Sequence, residues 1–352
     1  MRKIFIDLVK DDDVLALPVE DANGNILLAK GSKIKQSTKD KLSKHGITTV
    51  YIKEGNNGDN IEPLEGNRDE ALKMLKRQPL EEILISRINN YSRNDNASPI
   101  VKKVVEDIIF TLKNKNTLLV HFAHLRLIDN YTYEHSLDVC ALSLVIGERL
   151  RLTRTSLYQL GLGALLHDVG KTKVSISITS KQGKLTDKEF ERVKEHPLLG
   201  FQLLKDFDNN IPLPSCQVVL QHHERYSGTG YPRGLKGEKI SKLSYIVGIC
   251  DMYTAITAKR SYREAFSPKE AIELFMGTCN YLFPTQVVEA FLEGVAAYPN
   301  GSVVKLSNGL IAKVIMQDTL ALKPIVKPLK YNSETEIRLV GNESLDIECL
   351  YE

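Results

Sequence analysis

An aspartate set inside an apolar segment places the strictest demand on this chain. In Leu243-Ser-Tyr-Ile-Val-Gly-Ile-Cys-Asp251-Met-Tyr253 the carboxylate of Asp251 is flanked almost wholly by residues that have to be buried. Burying it alone costs several kcal/mol, so the fold must bring it a compensating charge. Two solutions are open at this point: a buried ion pair with a basic side chain, or a shared metal ion.

The segment sits within a stretch, Asn67 to about Val295, that reads as mostly helical. Val101, Val104, Val105, Ile108, Ile109 and Leu112 recur at helical spacing and make an apolar stripe, suited to a core or to packing against a second copy. Pro79 and Ser98-Pro99 divide the region into separate helices. Ahead of it, Val14–Leu17 and Ile26–Leu28 flank the hairpin-type turn Asp21-Ala-Asn-Gly-Asn25. A short Ser-capped helix over 37–46 and a strand over Thr48–Ile52 follow. The polar, Gly-rich run after Glu54 reads as a linker. Beyond Ala296-Ala-Tyr-Pro-Asn-Gly301, short β-type runs surround Asn308-Gly309. The expected organisation is a small α+β domain over 1–60, a helical connector over 61–118, a helical domain over 119–298 and a small β-rich segment over 299–352.

Composition narrows the class without naming an activity. Of 352 residues, 47 are Lys or Arg and 44 are Asp or Glu, a balance too even for binding that rests on bulk charge, such as coating DNA. No apolar run approaches the ~18 residues of a membrane span, and the N-terminus turns acidic too early for a secretory signal. Cys140, Cys216, Cys250, Cys279 and Cys349 form no CxxC pair, which points to reduced thiols in the cytoplasm.

The chemistry lies in the histidines. Of 8 in the chain, His135, His167, His196, His222 and His223 fall in polar settings among carboxylates and glycines. His167-Asp168 ends the apolar run Leu162–Leu166 and is followed by Gly170-Lys171. Adjacent helical positions diverge by about 100°, so this pair converges on one ion only near a helix end or with a tilted axis. A carboxylate can bridge two ions, whereas an imidazole serves one. His222-His223-Glu224 precede Gly228-Thr-Gly-Tyr-Pro232, a rigid turn in which backbone can approach a ligand closely.

Together the motifs Tyr131-Thr-Tyr-Glu-His-Ser136, His167-Asp-Val-Gly-Lys171, Glu195-His-Pro-Leu-Leu-Gly200, His222–Pro232 and Asp251-Met-Tyr-Thr254 with Arg260-Ser-Tyr-Arg263 resemble the HD-GYP family of cyclic di-nucleotide phosphodiesterases, a branch of the HD metal hydrolases. The resemblance covers about 119–296. It implies a mainly α fold, an HD-domain helical bundle carrying the small α+β N-terminal domain and the β C-terminal appendage. It also implies a role in bacterial second-messenger signalling. One metal would be held by His135, His167, Asp168 and Asp251, and a second by Asp168, His196, His222 and His223, with Asp168 bridging. Iron or manganese suits such mixed ligands. Tyr131 stands where some members place a Glu for a third metal, which favours a two-metal site.

On this resemblance a water bridging the metals attacks cyclic di-GMP to give pGpG and, in a further step, GMP. Lys171 would stabilise charge on the phosphoryl oxygens or protonate the leaving group. Gly230, Tyr231 and Pro232 would shape the substrate mouth, and Arg260 and Arg263 would bind the second phosphate or a guanine edge. Two positions depart from the pattern: Ser227 and Thr254 each replace an Asp. Neither is a metal ligand in the family, yet both suit partners of ligands, whose loss lowers affinity or rate. A slow cyclic di-nucleotide sensor and a phosphodiesterase for cyclic GMP-AMP are the alternatives. Dimerisation through the helices at 67–116 is a further expectation.

Overall fold

The computed structural model describes residues 2–5, 14–20, 26–35, 38–39, 41–42, 49–52, 79–93, 96–114, 119, 122, 125–126, 130–179, 181, 183–207, 211–258, 265–318, 320–329, 336–342 and 344–351. The turn at 21–25, the linker after Glu54, and Arg260 and Arg263 lie outside them. The chain divides into two compact units, one of Met1–Gln78 with Asn116–Tyr131 and one of Pro79–Lys115 with Thr132–Glu352.

In the first unit β1 (Arg2–Phe5) pairs antiparallel with β4 (Thr49–Ile52), and β2 (Val19–Glu20) pairs antiparallel with β3 (Ile26–Leu28). The expected hairpin is present, but its first strand lies later than Val14–Leu17. Val14 instead bridges Lys33, and Leu15, Ile34, Leu42 and Val50 are buried together with Val19. β4 falls where the β-branched run Thr49-Val-Tyr-Ile52 places a strand.

In the second unit Pro79 precedes α1 (Leu80–Tyr91), and α2 runs Pro99–Asn114. Then come α3 (Asn130–Arg149), α4 (Arg154–Leu166), a 3-10 turn (Val169–Lys173), α5 (Ile176–Thr179), α6 (Asp187–Val193), α7 (His196–Phe207), α8 (Leu213–Gln221), α9 (Lys242–Thr257), α10 (Pro268–Met276) and α11 (Thr285–Gly294). Capping boxes start α6 at Thr186/Glu189 and α10 at Ser267/Glu270, the latter with Pro268 in its first turn. The whole apolar stripe of α2 is buried, and α2 packs on α4. A Cβ at Gly161 of α4 would lie 2.5 Å from Ile108 Cδ1. The stripe therefore serves the core of its own chain.

α4 packs on α8, α8 on α7 and α9, and α7 on the 3-10 turn. These contacts gather several helix ends at one place, which is where the site lies. A C-terminal antiparallel sheet follows, in the order β8-β7-β6-β5-β9, with β5 (Val303–Leu306), β6 (Ile311–Met316), β7 (Ile325–Pro328), β8 (Ile337–Arg338) and β9 (Ile347–Leu350). β5 and β6 turn at Asn308-Gly309, where Gly309 takes φ +83. Val304, Leu306, Ala312, Val314 and Val326 make its buried face. Among the described residues no helix is long and apolar enough to cross a membrane.

Candidate metal centre

Three histidines sit at helix ends, where backbone carbonyls lack intrahelical partners. His167 caps the C-terminus of α4 and its Nδ1–H donates to Ala164 O at 2.7 Å. His222 caps α8 and donates to Val219 O at 2.9 Å. His196 opens α7 and donates to Val193 O, at the end of α6, at 2.7 Å. A carbonyl oxygen can only accept, so each Nδ1 carries the proton and each Nε2 presents a lone pair.

Those lone pairs converge. His196 Nε2 and His222 Nε2 are 3.2 Å apart, two acceptors with no proton between them. Asp168 follows the end of α4, which resolves the divergence of neighbouring helical positions. Its Oδ2 lies 3.3 Å from His167 Nε2 and its Oδ1 3.3 Å from His196 Nε2. His167 Nε2 and Asp168 Oδ1 are buried and make no hydrogen bond. Buried acceptors facing one another without donors are what a cation satisfies.

His135, in the interior of α3, brings Nε2 to 2.9 Å from Asp251 Oδ1. Among the described residues, the other basic groups within 4 Å of the Asp251 carboxylate are His167, at 3.9 Å, and His223, at 3.6 Å. The partners demanded by the buried aspartate are thus imidazoles. His196 with His222 and His223, and His135 with His167 and Asp168, form groups able to hold an ion. Imidazole and carboxylate together suit iron, manganese or zinc, so the donor set fits divalent metals.

Glycines permit the convergence. A Cβ at Gly170 would lie 1.9 Å from His196 O, and one at Gly248 of α9 would lie 2.6 Å from His222 O. The 3-10 turn and α7 therefore meet backbone to backbone, which sets Asp168 beside His196.

Electrostatics follow from burial among these partners. Burial alone raises the Asp168 pKa, but Lys171, whose Nζ is 2.6 Å from Oδ2, and His167 outweigh it and hold the carboxyl well below its usual range. Burial likewise raises Asp251, and the imidazoles around it, first His135 at 2.9 Å and then His223 and His167, bring it well below normal. Burial pushes His196 down to about 4 and His222 and His223 well below 6.5. His167 runs the other way: burial lowers it, and Asp168 more than restores it.

In metal-free protein these shifts set a pH dependence. His196, His222 and His223 are charged below about 6.5 when unfolded but stay neutral when folded, so the unfolded chain binds more protons there. Their effect is to lower stability as pH falls from 6.5 toward 4. His167 opposes them, since its contribution is present below 6.5 and lost above its raised pKa. The carboxylates stay ionised across this window. The melting temperature of chelator-treated protein, followed by circular dichroism, is expected to fall steadily between pH 7 and 4.5. A flat profile would contradict the neutral imidazoles.

Beside the cluster the Gly-rich turn closes one wall. A Cβ at Gly230 would meet His223 O at 2.4 Å. Tyr231 N–H donates to His223 O, and its ring stacks on His223 with centroids 4.5 Å apart. Pro232 follows through a cis peptide bond. Two contributors escaped the sequence reading. Glu224, 1% exposed, accepts from Arg233 N–H and Leu235 N–H, both at 2.8 Å, and so braces the turn. Lys194 Nζ lies 5.9 Å from the Tyr231 ring and 4.9 Å from that of Phe190. No spacing marks Lys194, whereas the adjacency of Glu224 to His223 was visible. Glu134, next to His135, pairs with Arg87. Ser227 Oγ contacts Thr229 Oγ1 at 2.9 Å, and Thr254 Oγ1 lies 3.1 Å from His135 Nδ1.

The helices and the histidine–aspartate cluster define an HD domain: the HD domain family model matches residues 103–277. The chain belongs to the HD domain family. It is 40% identical over 221 residues to a cyclic di-GMP phosphodiesterase of Pseudomonas aeruginosa, covering 63% of this chain and 52% of that protein. It is 30% identical over 232 residues to a cyclic di-GMP phosphodiesterase of Thermotoga maritima, covering 62% of each. A 3'3'-cGAMP-specific phosphodiesterase of Vibrio cholerae is 35% identical over 144 residues, 41% of this chain and 31% of that one. The chain spans about half the length of the curated relatives it matches.

Proposed function

We propose that this chain is a metal-dependent phosphodiesterase that opens cyclic di-GMP to pGpG, with GMP as the product of a further step. The observation that carries the reading is the pair of facing lone pairs on His196 and His222 beside the unbonded Oδ1 of Asp168. His135, His167, Asp168 and Asp251 would hold one iron or manganese ion, and Asp168, His196, His222 and His223 the other. Bound there, two such ions lower the pKa of a water and neutralise the phosphodiester under attack.

The chain's own residues supply the rest. Asp168 reaches both halves of the cluster with its two oxygens. Lys171 holds an ammonium at the rim, 2.6 Å from Asp168 Oδ2, where it would meet a phosphoryl oxygen. Tyr231 offers an aromatic face beside His223, and Lys194 a second cation near it. Gly230 and Pro232 hold that face in place. Arg260 and Arg263 are assigned to the second phosphate or a guanine edge by their motif alone. The similarity to cyclic di-GMP phosphodiesterases supports the substrate, and the cGAMP-specific relative makes cyclic GMP-AMP the comparison to run beside it.

The test is anaerobic purification, metal counted per chain, and separate incubation with cyclic di-GMP and cyclic GMP-AMP followed by chromatography. Two ions per chain and pGpG from cyclic di-GMP are expected. Two ions with tight binding and no product from either nucleotide would replace the enzyme with a sensor. Faster opening of cyclic GMP-AMP would change the substrate and leave the chemistry standing.

A further inference from the structure

His135 has a problem that the three helix-end histidines do not. His167, His196 and His222 orient themselves on carbonyls freed at helix termini. His135 lies well inside α3, Asn130–Arg149, where the carbonyl three residues back belongs to the helix ladder. For Nε2 to offer a lone pair to a cation, Nδ1 must carry the proton, and that proton needs an acceptor.

The acceptor comes from α9. Thr254 Oγ1 sits 3.1 Å from His135 Nδ1, across 119 positions of sequence. Its own hydrogen is directed back along its helix, toward Cys250 O at 2.9 Å and Asp251 O at 3.1 Å. A hydroxyl has one hydrogen and two lone pairs, so an oxygen that donates to its own backbone is left to accept. Thr254 is 6% exposed, so no bulk water competes for the contact.

We propose that Thr254 is the positioning residue of His135. Its hydroxyl fixes the Nδ1–H tautomer and the ring orientation, and so governs how tightly the ion on His135, His167, Asp168 and Asp251 is held. This rests on the metal reading above. A neutral hydroxyl is a weaker acceptor than a carboxylate and polarises the imidazole less.

The test compares wild type, Thr254→Val and Thr254→Ser, each loaded with manganese(II) and challenged with a graded chelator, with circular dichroism confirming the fold. Valine keeps the shape and removes the hydroxyl, while serine keeps the hydroxyl and removes the methyl. Tautomer control predicts that one of two ions is released about tenfold or more readily from the valine variant, with serine close to wild type. A purely packing role predicts the reverse order. Equal retention by valine and wild type, or weaker retention by serine than by valine, would overturn the proposal while leaving the metal reading intact. No manganese in the wild type would overturn both.

Discussion

Asp168→Ala is expected to empty the metal centre and to lower cyclic di-nucleotide hydrolysis by about a thousandfold or more. Asp168 is the carboxylate placed between the two groups of imidazoles, within 3.3 Å of both His167 and His196. Its removal deletes a donor from both ions at once under the proposed assignment. It also takes from the Lys171 ammonium its carboxylate partner at 2.6 Å. Metal catalysis of phosphoryl transfer is worth several kcal/mol, and each 1.36 kcal/mol is tenfold in rate, so losing about 4 kcal/mol gives the stated factor. The check is metal per chain with pGpG release measured on the same preparation. Asp168→Asn, which keeps the volume and loses the charge, separates ligation from packing. An alanine variant retaining two ions and activity within tenfold would remove Asp168 from its bridging place.

Gly170→Ala carries the second large effect, and it acts on the frame. The added Cβ would lie 1.9 Å from His196 O and 2.5 Å from Gly200 N, both backbone atoms that no rotamer change can clear. Relief requires the 3-10 turn to part from α7, which separates Asp168 from His196. A loss of about 3 kcal/mol in stability is expected, at the upper end for overpacking. Loss of metal should accompany it. Denaturant unfolding and metal content measure the two parts. Gly200→Ala is the milder comparison, because its Cβ would chiefly meet the side-chain Cγ1 of Val219, at 2.8 Å. Equal stability of Gly170→Ala and wild type would show that the close approach is not required.

Much of this was readable from local pattern. The breaks at Pro79 and Pro99, the α2 stripe, the strand at 49–52 and the turn at Asn308-Gly309 each follow from short-range rules of period, capping and backbone freedom. For the His167-Asp168 pair the sequence left a helix end or a tilted axis, and the structure takes the helix end, with His167 as the cap. The shift of the first hairpin strand to Val19–Glu20 was not readable, since Val14–Leu17 is as apolar and only pairing decides which segment joins the ladder.

By itself the sequence determined the residue types of the centre, their order and the helices that carry them, because periodicity and end signals act within a few residues. Tertiary structure alone decided that the Nε2 atoms of His196 and His222 would face each other, 26 positions apart in the chain. It also decided that Thr254 would serve His135, that Glu134 would turn to Arg87, and that Glu224 would brace the turn through Arg233 and Leu235. Most of these contacts join atoms far apart in the chain, and they exist only once packing has closed the helices on one another.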